Sequence, residues 1–163
     1  MNITKSTYYT GQYWNPGLRY DILRLKNHSD KEAAKRLADK CLPDIRELIR
    51  KYDIDALAYV PSANRSHMSI FANIVGERLK IKVWHGIIKR YGVPSLCTCP
   101  STAARREIIR NAFYMSGEGA PVKVLLIDNV ITTGSTLSEL TDLLETHFVH
   151  VVRYTISAVH KKK

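Results

Sequence analysis

A chain of 163 residues with a formal net charge of +10 is long enough for one domain with a sizeable core and too short for two ordinary ones. Hydrophobic residues at 45% and charged residues at 25% are ordinary globular proportions, which excludes wholesale disorder. No apolar run has the length of a membrane span, and three cysteines cannot build a disulfide framework. The opening Met1-Asn2-Ile3-Thr4-Lys5 is too polar for a secretory signal, so a cytoplasmic protein with no membrane partner is expected. The positive balance suits polyanions, either nucleic acid or a small ligand carrying several phosphates. Its placement is uneven: between residues 60 and 110 nine Lys and Arg side chains, Arg65, Lys89, Arg90, Arg105 and Arg106 among them, face only Glu77 and Glu107.

Residues 1–20 are rich in Tyr and Thr and are expected to form a hood or an N-terminal extension, with Trp14-Asn15-Pro16-Gly17 as a turn. Residues 19–25 read as a short strand. Ser29 and Glu32 match a capping box, after which Ala34, Leu37, Ala38, Cys41, Ile45, Leu48 and Ile49 repeat at helical spacing. Pro43 predicts a kink or break inside that helix. Residues 56–60 are a buried-strand candidate ended by Pro61, and Ile70, Phe71, Ile74, Val75 and Leu79 make a second helical stripe. Residues 81–88 read as a strand, 91–102 as a long mobile loop, 103–110 as a short basic helix, 112–115 as a strand and 116–119 as a turn. Residues 122–127 form the strongest strand pattern, 135–147 a helix with Leu137, Leu140, Leu143 and Leu144 inward, and 149–159 a closing strand. Strands alternating with helices predict an α/β domain over residues 1–163, a mostly parallel sheet covered on both faces.

The chemistry is concentrated in Val124-Leu125-Leu126-Ile127-Asp128-Asn129-Val130-Ile131-Thr132-Thr133-Gly134-Ser135-Thr136. An apolar strand delivers a carboxylate at its C-terminal end, where open α/β sheets bind ligands. A hydroxyl-rich bend follows, with Gly134 allowing close backbone approach and a helix N-terminus favouring phosphate. The Walker pattern and its lysine are absent. Cys97-Thr98-Cys99 with His85 lacks the usual zinc spacing, so these are read as incidental loop cysteines. The six histidines share no spacing, and no nucleophile with an adjacent base is visible.

This run resembles the motif by which type I phosphoribosyltransferases bind phosphoribosyl pyrophosphate (PRPP). The resemblance implies that Asp128 serves the ribose hydroxyls and that Thr132, Thr133, Gly134, Ser135 and Thr136 hold the 5′-phosphate. Asn129 stands where that family usually has a second acid; an amide keeps hydrogen-bonding capacity but loses charge. Thr132 stands where hypoxanthine-guanine enzymes carry an acid, which points away from a 6-oxopurine acceptor. Weaker similarity runs over residues 18–159 and is to the ComF-type, competence-associated group, without the zinc module often found at its front. It implies a pyrophosphate loop at Ser62, Ala63, Asn64 and Arg65, and a basic catalytic-loop region in which Arg90 and Arg105 act on the leaving group. The implied cofactor is Mg²⁺, held at least indirectly by Asp128, and the implied partners are PRPP and a nitrogenous base, with a homodimer frequent in the family. The alternative left open is a non-catalytic protein that senses PRPP or a nucleotide, or holds single-stranded nucleic acid on its basic face.

Overall fold

The computed structural model describes residues 1–4, 6–62, 67–93, 99, 101–116, 119–147 and 149–159. Two strands, β1 (Asn2–Thr4) and β2 (Thr7–Gln12), open the chain at one edge of the main sheet. Residues 2–4 and 7–12 are thus part of that sheet: Tyr9 is buried in the core, Tyr8 bonds Tyr52 through the phenols, and Tyr13 packs edge-on against Trp14.

The segment 19–25, expected as a strand, lies inside helix α1 (Pro16–His28). Asn15 caps it, its Oδ1 accepting from the Leu18 amide at 3.1 Å, and Pro16 occupies the first turn, where its missing N–H costs nothing. Leu18, Ile22 and Leu25, at helical spacing, are its buried residues, and that stripe decides helix over strand. The predicted capping box is also displaced. Ser29 closes α1 in the left-handed region at φ 50°, and Asp30 is the cap of α2 (Lys31–Tyr52), accepting from Glu32 and Ala33 amides at 3.0 and 3.1 Å.

Helix α2 runs through Pro43 without a break, which excludes the second of the expected kink or break, with Ala34, Leu37, Ala38, Cys41, Ile45 and Leu48 buried. Pro43 itself is exposed, so its ring sits on the solvent side of the helix and the apolar stripe on the other side holds the helix together. Asp21, buried on α1, ties the two helices by accepting from Arg36 Nε and Nη2 at 3.0 and 2.8 Å, with Lys40 at 3.5 Å.

Strand β3 (Ala56–Tyr59), helix α3 (His67–Leu79) and strand β4 (Lys82–Val83) complete one side of the sheet. The strand expected over 81–88 is cut in two. Trp84 folds its ring against Gly86, where a Cβ would lie 2.0 Å from the indole, and the chain turns away into β5 (Ile87–Lys89). That strand pairs antiparallel with β6 (Phe113–Met115) across helix α4 (Thr102–Arg110), in a separate two-stranded sheet. Residues 94–98 and 100 of the expected mobile loop, and 117–118 of the expected turn, lie outside the described residues.

The last unit is β7 (Lys123–Ile131), α5 (Ser135–Thr146) and β8 (His150–Ala158). The main sheet has the order β1-β2-β8-β7-β3-β4, parallel throughout except for β1. Leu125 and Ile127 enter a core with α1, α2 and α3, and Val124 and Leu126 enter a second core with α5 and α4, so both faces are covered. No helix among the described residues is long and apolar enough to cross a membrane.

Because Pro43 is solvent-facing, Pro43→Ala restores an amide donor without disturbing the core. It is expected to stabilise the chain by about 1–2 kcal/mol, after some offset from a freer unfolded state, measured by urea unfolding.

Candidate functional site

The site is made where β7 loses one neighbour before the other. Pairing with β3 ends at Tyr59–Ile127, whereas pairing with β8 continues to Ile131–Ala158. The strand is therefore longer than the sequence pattern of 122–127 implied, and Asp128 stands just past the point where β3 departs. One flank is thereby opened beside a carboxylate still held by the sheet.

The Asp128 side chain is half-buried, and its Oδ1 accepts from the Asn129 amide at 2.7 Å. Burial pushes its pKa up to about 7, with that amide and Lys26 of α1 pulling the other way. Asn129 turns elsewhere. Its Oδ1 accepts from the Val130 amide at 2.7 Å and its Nδ2 lies 3.2 Å from His67 Nε2 at the start of α3.

Beyond the strand, Thr132 and Thr133 are exposed, and Gly134 takes φ +80°, a left-handed conformation that favours glycine. A Cβ there would also press on Ile131 Cδ1 at 3.3 Å. Gly134 is the N-cap residue of α5 and offers no side-chain oxygen to the first-turn amides; that turn has no acidic residue either. The Thr133 and Ser135 hydroxyls are 3.0 Å apart, and the Ser135 amide reaches Thr133 Oγ1 only at 3.4 Å. The positive end of α5, equivalent to roughly half a charge, is thus left for a ligand.

Asp128, Val130, Ile131, Thr132, Thr133, Gly134, Ser135, Thr136, Leu137 and Arg105 line one cavity of about 180 Å³. Arg105 comes from α4, whose N-cap Ser101 accepts from the Ala104 amide at 3.1 Å. Arg105, Thr133 and Ser135 also line an adjoining cavity of about 250 Å³ with Cys99, Ser101 and Thr102. An anion cradle, a carboxylate and a guanidinium therefore meet in one groove, as a sugar phosphate with a further anionic group would require.

The fold brings together Asp128, Arg105 and Thr132 through Thr136, all singled out from sequence. It does not bring Asn129 or Arg90 to the lining. Arg90 is exposed and stacks over the Tyr114 ring at 5.0 Å. Ser62 is half-buried just beyond β3, while Ala63, Asn64 and Arg65 lie outside the described residues, as does Cys97. His85 bonds the Tyr59 hydroxyl at 2.8 Å, and no group of three or more metal-ligating side chains exists among the described residues. Lys26 and His67 were missed by the sequence reading. The helical spacing of Leu18, Ile22 and Leu25 was the signal that would have placed Lys26 on a helix; His67 had none.

Family models and curated protein sequences give no match to the chain. Solved structures do. A crystal structure of adenine phosphoribosyltransferase superposes with a TM-score of 0.56 at 16% identity, over 80% of this chain and 72% of that one. The enzyme of that name from Saccharomyces cerevisiae, complexed with an imino-altritol bisphosphate and adenine, gives 0.49 at 14% identity over 75% and 68%. The one from Leishmania donovani gives 0.48 at 14% identity over 97% and 74%. The chain has the α/β fold of adenine phosphoribosyltransferase, the type I phosphoribosyltransferase fold, with a mostly parallel central sheet flanked, among the described residues, by five helices.

The raised Asp128 pKa has a stability consequence. The folded state keeps a proton that the unfolded chain releases above its ordinary carboxyl pKa of 3.8, so stability falls as pH rises from about 4 to about 7 and the cost is full above that. Asp128→Asn removes the cost. Thermal unfolding should show the variant equal to wild type near pH 4 and more stable at pH 8, by up to about 4 kcal/mol.

Proposed function

We propose that this chain is a cytoplasmic, ComF-like phosphoribosyltransferase that binds PRPP with Mg²⁺ and transfers the phosphoribosyl group to a nitrogenous base, releasing pyrophosphate. The observation that supports the reading most is the single groove shared by Asp128, the uncapped first turn of α5 and Arg105.

In this reading the amides of Ser135, Thr136 and Leu137 and the hydroxyls of Thr132, Thr133, Ser135 and Thr136 hold the 5′-phosphate. Asp128 accepts from the ribose hydroxyls and so fixes the sugar's rotation about the phosphate. Departure of pyrophosphate leaves an oxocarbenium-like C1, and negative charge builds on the leaving oxygens. Arg105 meets that charge with a guanidinium already in place, so that no reorganisation is needed as it develops. Arg90, at the end of β5 and outside the groove, takes part only if the segment after it carries it inward.

The donor set fits Mg²⁺ in one way. Among the described residues Asp128 is the one carboxylate lining the cavity, and the Asn129 amide oxygen is already occupied by the Val130 amide. That is too few ligands for an all-protein cage, and it suits an ion held chiefly by pyrophosphate, ribose and water oxygens with Asp128 as the protein's contribution. The chemistry Mg²⁺ supplies when bound is neutralisation of the departing pyrophosphate. A carboxyl whose pKa burial raises to about 7 is one that a cation would restore to its charged form.

One observation favours a second reading, a non-catalytic binder of PRPP or a nucleotide: the Asn129 side chain is committed to Val130 and His67, leaving one acid where the resembling enzymes use two. Titration with PRPP, with and without Mg²⁺, followed by a screen of bases for pyrophosphate release, separates the two. The enzyme reading expects Mg²⁺-dependent binding and release with at least one base; binding without release for any base supports the second. Single-stranded nucleic acid as the ligand would instead show affinity falling steeply with salt. For the enzyme, Arg105→Ala should lower turnover about a hundredfold, equivalent to roughly 2.7 kcal/mol. If alanine at both Arg90 and Arg105 left turnover unchanged, their role at the leaving group would be refuted.

A further inference from the structure

Strand β8 alternates in a way that its burial does not require. Tyr154 and Ile156 enter the core shared with α1, α2 and α3, while Arg153, Thr155 and Ser157 occupy the opposite face. Thr155 and Ser157 are nonetheless fully enclosed, at 0% exposure. A parallel strand covered on both faces is ordinarily apolar on both, so a polar row there calls for a reason.

Two of the three side chains have one. Arg153 Nη1 donates to Ser138 Oγ on α5 at 3.2 Å, and Ser157 Oγ donates to the Asn129 carbonyl on β7 at 3.3 Å. The Thr155 hydroxyl has no partner among the described residues. Buried hydroxyls are seldom left so, because desolvation is not offset by a bond.

The register shows what lies beside it. Thr155 is the direct neighbour of Tyr9 on β2 and of Asp128 on β7, and paired residues of parallel strands project to the same face. The Tyr9 phenol already accepts from Gln12 Nε2 at 3.3 Å. Asp128 has Oδ1 engaged by the Asn129 amide, while Thr155, its register neighbour one strand away, makes no hydrogen bond through its hydroxyl among the described residues. The charged and titratable groups around this carboxyl are Lys26 from α1, Arg105 from α4 and, through Asn129, His67 from α3.

We propose that Thr155 is a positioning residue for Asp128: its hydroxyl, buried in register beside the carboxylate, donates to it when the carboxylate takes the hydroxyls of a ribose phosphate. The inference rests on the reading of this groove as a ribose-phosphate site. If Thr155 served only to shape the strand, valine would do so better, since it keeps the β-branch and drops the unpartnered hydroxyl.

The test compares wild type, Thr155→Val, Thr155→Ala and Thr155→Ser in the full chain at pH 8, with ribose 5-phosphate and inorganic phosphate as calorimetric probes and thermal unfolding alongside. Valine, or alanine should valine not fold, is expected to weaken ribose 5-phosphate about tenfold while leaving inorganic phosphate within about twofold. The valine variant should melt no lower than wild type, and serine should restore the affinity. The inference is overturned if the hydroxyl-free variants bind ribose 5-phosphate as wild type does, if they lose both probes equally, or if serine fails to restore. Wild type that holds inorganic phosphate but not ribose 5-phosphate overturns the reading of Asp128 itself, before any variant is made.

Discussion

The bend between β7 and α5 depends on one constraint: a helix must begin on a residue that cannot cap it. Gly134 enters the left-handed region to turn the chain, and having no side chain it offers the first amides of α5 no cap of its own, the Ser135 amide reaching only Thr133 Oγ1 at 3.4 Å. Serine or aspartate at that position would satisfy the amides from within and strain the backbone. The fold keeps the glycine, and with it an end of positive potential facing a cavity. The sheet order and the packing of Leu137, Leu140 and Leu144 then fix where that end points.

The carboxylate beside it is placed at a cost of the same kind. Asp128 is held by β8 after β3 has left, far enough into the protein for burial to raise its pKa to about 7. An uncapped helix start and a desolvated acid both destabilise the empty protein, and a ligand with a phosphate and sugar hydroxyls would relieve both. An uncapped helix start and a desolvated acid gathered at one junction, where the starts of α1, α2 and α4 are capped by the side chains of Asn15, Asp30 and Ser101, mark that junction as the part not shaped for stability.

Much of this was legible in the sequence, for reasons that differ by element. The β7–α5 run could be read because its signals agree: an apolar strand, an acid, hydroxyls, a glycine and a leucine stripe. Helix α2 was legible through its long apolar periodicity, yet the break expected at Pro43 did not follow, because a proline on the exposed side leaves that stripe intact. Helix α1 was misread because seven residues are too few to separate periods of 2 and 3.6 when its cap at Asn15 is assigned to a turn. The cut in 81–88 depends on Trp84 lying against Gly86, a contact that no local propensity encodes. Arg90 and Arg105 looked equivalent as basic loop residues; only the tertiary placement of α4 brings Arg105 to the groove and leaves Arg90 over Tyr114.

Asn129 shows how a departure from a familiar motif can be understood from its surroundings. Its amide accepts from the next residue's N–H and reaches His67 at the first turn of α3, so one side chain fastens the exit of β7 to the helix behind it. A carboxylate could still accept from Val130 but has no N–H for His67 unless the imidazole supplies the proton. Asn129 and His67 are therefore a matched pair: the amide meets the imidazole Nε2 and adds no charge next to Asp128, whose ionisation burial already opposes. With a second acid at that position the two carboxylates would raise one another's pKa further unless a cation lay between them. An amide at that position puts no second charge beside Asp128, which makes the site less dependent on a bound cation for its integrity.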